Sequence, residues 1–397
     1  MTQQTFKGSF TQQEPIADDA IDAAVQVLRT GRLHRYNTAG DAPSEVARLE
    51  RAYADWQGAQ YCLALASGGQ ALQIAMRAAG VGPGDPVLTN AFTLAPVPGA
   101  IAAVGAAPIF VETDETLRID FADLKAKIAQ YEARWLLLSH MRGHICDMDS
   151  LMALTRSAGV TVIEDCAHTM GARWKNVRSG NHGIAGCFST QTYKHINSGE
   201  GGLLTTDDPD LMARAIILSG SYMLYERHGA APATEHFADI RLKTPNMSAR
   251  MDNLRAAILM PQLATLDANV ARWNALYDTL AAILDGNPGI ETPRRPDDEA
   301  KVGSSIQFRV PDFSADDCRA FVARNRARGV ELKWFGAPDP HGFTSIYSSW
   351  QYAARQSLPR SDAIFATLFD MRLPLTFSVD DCRLLGEIIT DCVSDND

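Results

Sequence analysis

Cys187-Phe188-Ser189-Thr190-Gln191-Thr192-Tyr193-Lys194-His195-Ile196-Asn197-Ser198-Gly199-Glu200-Gly201-Gly202 places one lysine in a run of small and hydroxylated residues. His195 is the only other basic side chain there. The glycines let backbone approach a ligand closely and turn without a Cβ penalty. A lysine that forms an imine must be neutral part of the time, which desolvation and neighbouring positive charge promote. A solvated lysine in a glycine-rich turn has the same local signature.

Upstream, Ile163-Glu164-Asp165-Cys166-Ala167-His168 ends a β-branched strand on an acid, with a histidine just beyond. Ligands of open α/β sheets gather at the carboxyl ends of strands. Asp165 there suits a metal, a base to be oriented, a protonated ring nitrogen, or simply a helix cap. Further back, Ala66-Ser67-Gly68-Gly69-Gln70-Ala71-Leu72 reads as strand, two glycines and helix, an arrangement that offers free N–H groups to an anion. No Walker lysine and no GxGxxG follow.

Between these stretches, apolar runs alternate with helical patterns. Strands are predicted at 62–66, 86–89, 108–111, 135–139, 160–164, 187–189 and 202–205, and helices at 70–79, 96–104, 121–129 and 148–157. The pattern predicts an α/β fold, its mostly parallel sheet buried between helices. Residues 251–284 predict a connecting helix or helix pair, broken at Pro261. A strand at 304–310, helix at 315–328, strand at 330–335 and final helix at 379–393 predict a smaller α+β domain.

The chain has 397 residues, enough for two domains, and 46% of them are apolar, as in ordinary globular protein. Its net charge of −10, with no basic run, argues against nucleic-acid or anionic-membrane partners. The first fifteen residues carry no apolar signal-like stretch, and no apolar run is long enough to span a bilayer. Seven scattered cysteines without a CxxC pair fit buried reduced thiols in the cytoplasm better than disulfides or zinc, and no metal site is expected.

Phosphate-type turn, strand-end aspartate and a lysine 29 residues later stand in the order of pyridoxal phosphate (PLP) enzymes of the aspartate-aminotransferase fold. From about Ala23 onward the chain resembles the DegT/DnrJ/EryC1/StrS family of sugar and cyclitol aminotransferases. The matching stretches are Gly80–Asp85, Glu164–His168 with Gly171-Ala172, Phe188-Ser189, Gly199–Gly202, Arg250-Met251, Ala256-Ala257 and Leu373-Pro374-Leu375. The resemblance implies a fold-type-I large domain with a seven-stranded sheet (residues 1–255), and a connecting helix with a small domain (256–397). It implies that Lys194 forms the Schiff base with PLP and shuttles the proton, and that Asp165 pairs with the pyridine nitrogen. It places His168 by the ring hydroxyl, and Ser189 with the N–H groups of Gly69 and Gln70, next to Gly68, on the phosphate. A polar residue of a neighbouring subunit, Ser248 or Asn246, reaches that phosphate, so a homodimer with shared sites is expected. The implied reaction moves an amino group from glutamate or glutamine to a keto-sugar, keto-cyclitol or related carbonyl, with the cofactor passing through pyridoxamine phosphate.

Departures from the family pattern mark the substrate side. Gly69 stands where Thr is common. The ring-stacking aromatic aligns with Leu94, and Phe92 is the nearby substitute. His140-Met141-Arg142-Gly143 replaces a tyrosine with an arginine, which suits either a substrate carboxylate or phosphate or a structural ion pair. Residues 220–228 depart from the common form. The basic stretch Arg32–Asn37 makes Arg35 a candidate for an anionic substrate, and His195 is a third candidate. Rival readings are a PLP- or PMP-dependent dehydratase, disfavoured by a lysine at 194, and a non-catalytic regulator, disfavoured by an intact Asp165, Ser189 and Lys194.

Overall fold

The computed structural model describes residues 4–40 and 42–394. Helices α1 (Asp18–Thr30) and α2 (Glu45–Gln57) precede the first strand, β1 (Tyr61–Leu65). Then follow α3 (Gly68–Ala79), β2 (Pro86–Asn90), α4 (Pro96–Ala103), β3 (Ala107–Val111), α5 (Phe121–Tyr131), β4 (Trp135–Ser139), α6 (Met148–Ser157) and β5 (Thr161–Asp165). A short hairpin, β6 (Arg173–Trp174) and β7 (Val177–Arg178), leads to β8 (Ala185–Ser189), β9 (Gly202–Thr206) and α7 (Pro209–Ser219). Local chemistry sets these boundaries: Ser67, Asp120 and Asp147 cap α3, α5 and α6 with their side chains, and Gly80 ends α3 in the left-handed region at φ 104°.

The sheet has seven strands in the order β1-β9-β8-β5-β4-β2-β3. The β3, β2, β4, β5 and β8 pairings are parallel, and β9 is antiparallel to both β8 and β1. Strand residues alternate between two cores, Cys62 and Ala64 joining one, Leu63 and Leu65 the other. Both faces are therefore covered, which is why these strands read as continuous apolar runs.

The chain then enters α8 (Asn253–Asp285), which runs 33 residues through Pro261 without breaking. Pro261 has no N–H for the Ala257 carbonyl. The neighbouring Gln262 grips both sides of the site: its Nε2 donates to Ile258 O and to Asn197 O at 2.8 Å each, and its Oε1 accepts from Asn197 N at 2.9 Å. The expected break is thus corrected to one continuous helix held by tertiary contacts.

Beyond it come β10 (Glu299–Ala300), β11 (Ser305–Arg309), α9 (Ala315–Ala327), β12 (Lys333–Trp334), α10 (Pro359–Phe365), β13 (Leu368–Arg372) and α11 (Val379–Ser394). The expected strand at 330–335 shrinks to two residues on the edge of a β11-β13-β12 sheet. Phe6 and Phe10 pack edge-on to Phe377, at 5.0 Å each, inside this C-terminal core. The first residues thus join the C-terminal unit rather than the large sheet. All seven cysteines are free and buried. No helix among the described residues is long and apolar enough to cross a membrane.

Candidate active site

Strands β1, β5 and β8 run the same way, so their carboxyl ends lie on one edge. That edge carries the Ser67–Gly69 turn, Asp165 and Ser189, and all line one cavity of about 560 Å³ together with His168 and Lys194. Three stretches far apart in sequence are thereby brought together.

Ser67 Oγ accepts the Gln70 N–H at 3.1 Å. This corrects the expected phosphate contact: the N–H groups without a partner among the described residues are those of Gly68 and Gly69, not Gln70. A Cβ on Gly68 would lie 2.8 Å from Ser189 Cβ, so glycine is what allows turn and serine to close on one another. Two free amides and a hydroxyl at a helix N-terminus suit a phosphate.

Asp165 is buried at the end of β5. Ser139 Oγ donates to its Oδ2 at 2.9 Å, and Ala167 N to its Oδ1 at 3.1 Å. Thr93 Oγ1 in turn donates to Ser139 Oγ at 2.9 Å, which fixes the carboxylate's orientation. The adjacent Glu164 points to the opposite face, where Gly180, His182 and Gly183 donate backbone N–H groups to it and His140 Nε2 lies 2.9 Å away. Alternation along β5 thus gives one acid to the cavity and the other to the core.

Lys194 Nζ lies 2.9 Å from His168 Nε2. Burial pushes the lysine down to about 7, reinforced by the charges of Arg142, Arg372 and Lys333 against the opposing pull of Asp165. Burial, then the Lys194 charge, holds His168 well below the usual imidazole range, so it is neutral at pH 7 and accepts from an ammonium. His168 Nδ1 is buried without a partner among the described residues. An anion cradle, an oriented carboxylate, a lysine neutral near physiological pH and an orphaned ring nitrogen in one cavity fit PLP.

Other expected residues lie elsewhere. Phe92 packs against Phe335 and Phe365, with ring centroids 5.4 and 6.0 Å away, and does not line the cavity; Leu94 does. Arg35 is buried and bidentate to Glu50, at 2.8 and 2.9 Å, which removes it as a substrate contact. His195 Nε2 meets Ser304 Oγ at 3.1 Å in a neighbouring cavity, and burial takes its imidazole down to about 3. Asn246 and Ser248 are exposed, and Ser248 N donates to Asn246 Oδ1 at 2.8 Å. Arg142, at φ 54°, pairs with buried Asp370 at 2.7 Å. Sequence reasoning missed Asp370, Lys333 and Arg372, which come from the C-terminal sheet. The one available signal was an arginine immediately before Leu373-Pro374-Leu375.

A family model described as the DegT/DnrJ/EryC1/StrS aminotransferase family matches residues 15–386. The chain belongs to that family. The UDP-2-acetamido-2-deoxy-3-oxo-D-glucuronate aminotransferase of Pseudomonas aeruginosa is 35% identical over 286 residues, 70% of this chain and 74% of that one. The dTDP-3-amino-3,6-dideoxy-alpha-D-galactopyranose transaminase of Aneurinibacillus thermoaerophilus is 30% identical over 349 residues, 87% of this chain and 89% of that one. Among solved structures, 3-amino-5-hydroxybenzoic acid synthase superposes with a TM-score of 0.84 at 25% identity, covering 99% of this chain and 100% of the other. DesV of S. venezuelae superposes with a TM-score of 0.77 at 27% identity, covering 97% and 98%. This DegT/DnrJ/EryC1/StrS member is a PLP-dependent aminotransferase, with a small-molecule amino donor and acceptor. The dehydratase and regulator readings are not favoured.

Proposed function

We propose that Lys194 carries the cofactor as a Schiff base and that the enzyme aminates a keto-sugar, keto-cyclitol or related carbonyl, with glutamate or glutamine as donor. The observation that carries the residue assignment is Lys194 Nζ in the wall of the cavity that also holds Asp165 and the Gly68-Gly69 turn. The substrate class is supported by the sugar-acting relatives above.

PLP, when bound, supplies a carbonyl that captures an amine and a ring that delocalises the electron pair released at the substrate Cα. The residues act around it. Asp165, its carboxylate held by Ser139 and Ala167, would pair with the protonated ring nitrogen. Ser189 and the amides of Gly68 and Gly69 would hold the phosphate. Lys194, once free as a neutral amine, would carry a proton between the substrate Cα and the cofactor's C4′, a role its depressed basicity suits. His168 accepts a hydrogen bond from Lys194 and steadies it.

A cytoplasmic homodimer with shared sites is part of this proposal. Tyr222, Met223 and Leu242 are large apolar side chains left exposed, as on a surface covered by a second copy.

The test is spectroscopic. Purified enzyme should show the visible band of a lysine Schiff base, and borohydride should fix the cofactor onto the peptide containing Lys194. An amino donor should bleach the band and an acceptor restore it. Lys194→Ala should lose borohydride fixation and transamination. Label recovered on another lysine would overturn the assignment.

A further inference from the structure

Phe343 stands in the wall of the cofactor cavity with 47% of its surface exposed. A ring left in water forgoes the stabilisation that burial would bring. The chain that carries it, between β12 and α10, is nonetheless pinned on both sides. Upstream, Phe335 donates its N–H to Leu368 O at 3.0 Å. At the turn itself, Thr344 Oγ1 accepts from His341 N at 2.9 Å and donates to His341 O at 2.7 Å, while Gly342 takes the left-handed φ of 59°. Downstream, Tyr347 and Trp350 are buried against Phe110, with ring centroids 5.8 and 5.7 Å away. Gln356 bridges to β3, accepting from Phe110 N at 2.8 Å and donating to Pro108 O at 3.1 Å. Tyr352 Oη donates to Ala95 O at 3.3 Å, on the far side of the cavity mouth. A fixed turn therefore presents the exposed ring.

Phe343 also borders a second cavity of about 420 Å³. Lys333, whose Nζ lies 5.5 Å from the ring centroid, lines that second cavity and not the first. Toward the cofactor, the wall around Phe343 is apolar, with Leu72, Leu94, Pro96 and Val97 in it. Phe188 lines the same cavity but is fully buried, its ring 5.4 Å from that of Tyr53. Phe343 is thus the aromatic face left for a ligand. Because it shares one cavity with Lys194, a ligand held at the lysine can reach it.

We infer that Phe343 is a stacking platform for the acceptor, on which a cyclic carbonyl compound lays one face of its ring, so that ring acceptors are selected over open-chain ones. The inference rests on the amination of a keto-sugar or keto-cyclitol proposed above. A flat ring laid on an aromatic face removes apolar area from both partners at once and gains close dispersion contacts. Stacking geometry adds a further increment when the guest is itself aromatic. An open chain of the same carbon count must freeze several rotors to make the same contact.

Aminooxy compounds test this on the holoenzyme without knowledge of the natural acceptor. The amine of R–O–NH2 displaces the lysine amine from the cofactor carbon, one for one, and the visible band is lost. O-Benzylhydroxylamine, O-(cyclohexylmethyl)hydroxylamine and O-heptylhydroxylamine all carry seven carbons, two of them as a ring and one as a chain. Second-order rates of band loss are measured for each and divided by its rate with free PLP. Both ring compounds should exceed the chain by about 3- to 10-fold. Phe343→Ala should bring the ratios close to one, Phe343→Leu, apolar but without a flat face, should do nearly the same, and Phe343→Tyr should retain them. Wild-type ratios near one, or ratios unmoved by Phe343→Ala or kept by Phe343→Leu, would overturn the platform. A wild-type protein with no band to lose would instead sink the cofactor reading itself.

Discussion

At the scale of single residues, the nearly neutral Lys194 has a kinetic consequence. Burial and the three neighbouring cations bring its ammonium down to about 7 from an ordinary 10.5. Only the free amine attacks an aldehyde. Cofactor uptake by the apoenzyme should therefore accelerate as pH rises from 6 to 8, with a midpoint about 7, followed as growth of the visible band. A midpoint above 9 would show that the cations do not govern the amine. The same shift leaves the unfolded chain binding the extra proton between these two values, so this group's contribution raises apoenzyme stability with pH across that window. Gly68 offers a second residue-scale test. A methyl group there would sit 2.8 Å from Ser189 Cβ and 3.3 Å from its Oγ. Overpacking of this kind costs about 1–3 kcal/mol. Gly68→Ala should thus weaken PLP binding by about tenfold or more in equilibrium titration, with little change in the far-UV spectrum.

At the scale of elements, α8 joins the two sheets and braces the chain after Lys194 through Gln262. Gln262→Ala removes an acceptor and a donor from Asn197 at once. A loss of about 1–2 kcal/mol is expected, and the Asn197 amide should exchange hydrogen much faster than its neighbours'. Unchanged exchange would show that Gln262 is not the brace. Elements differ in how far they could be read from the chain. The seven sheet strands, within a residue or two at their ends, and α3 to α6 follow from apolar runs, glycines and side-chain caps, all of which are local. The continuity of α8 does not: Pro261 signals a break, and contacts from Asn197, 65 residues earlier in the chain, keep the helix whole. Strand β13 and the N-terminal strap were illegible for the same reason, since their partners are distant. The site divides likewise. Asp165, His168, Ser189 and Lys194 stand in order along the chain, whereas Asp370 and Arg372 reach the site only through β11-β13-β12 pairing. Arg35 and Phe92 misled because type and neighbourhood cannot tell a ligand-facing side chain from one satisfied by Glu50 or by an aromatic cluster.

At the scale of the whole molecule, acid tolerance depends on Glu164. Burial opposes its charge, yet the hydrogen bond and charge of His140, the charge of His182 and the Gly183 N–H hold it down to about 2 from an ordinary 4.5. A carboxylate more acidic in the folded state contributes stability that is complete above 4.5 and lost as pH falls toward 2. Urea midpoints should fall over that window. Glu164→Gln should lower the urea midpoint at pH 7, a stability loss of about 3–5 kcal/mol for a broken buried pair, and flatten the acid dependence. A variant as stable as the parent at pH 7 would contradict this.

Interior placement of all seven cysteines has a practical outcome as well. Burial raises the thiols of Cys62, Cys166 and Cys187 well above their ordinary range, so thiolate is scarce as well as hidden. Iodoacetamide and mild oxidants should leave the native enzyme untouched. A cysteine introduced at an exposed position beside Phe343 would then be its sole reactive thiol, and a dye placed there would report substrate arrival without first stripping the protein of its own sulfur.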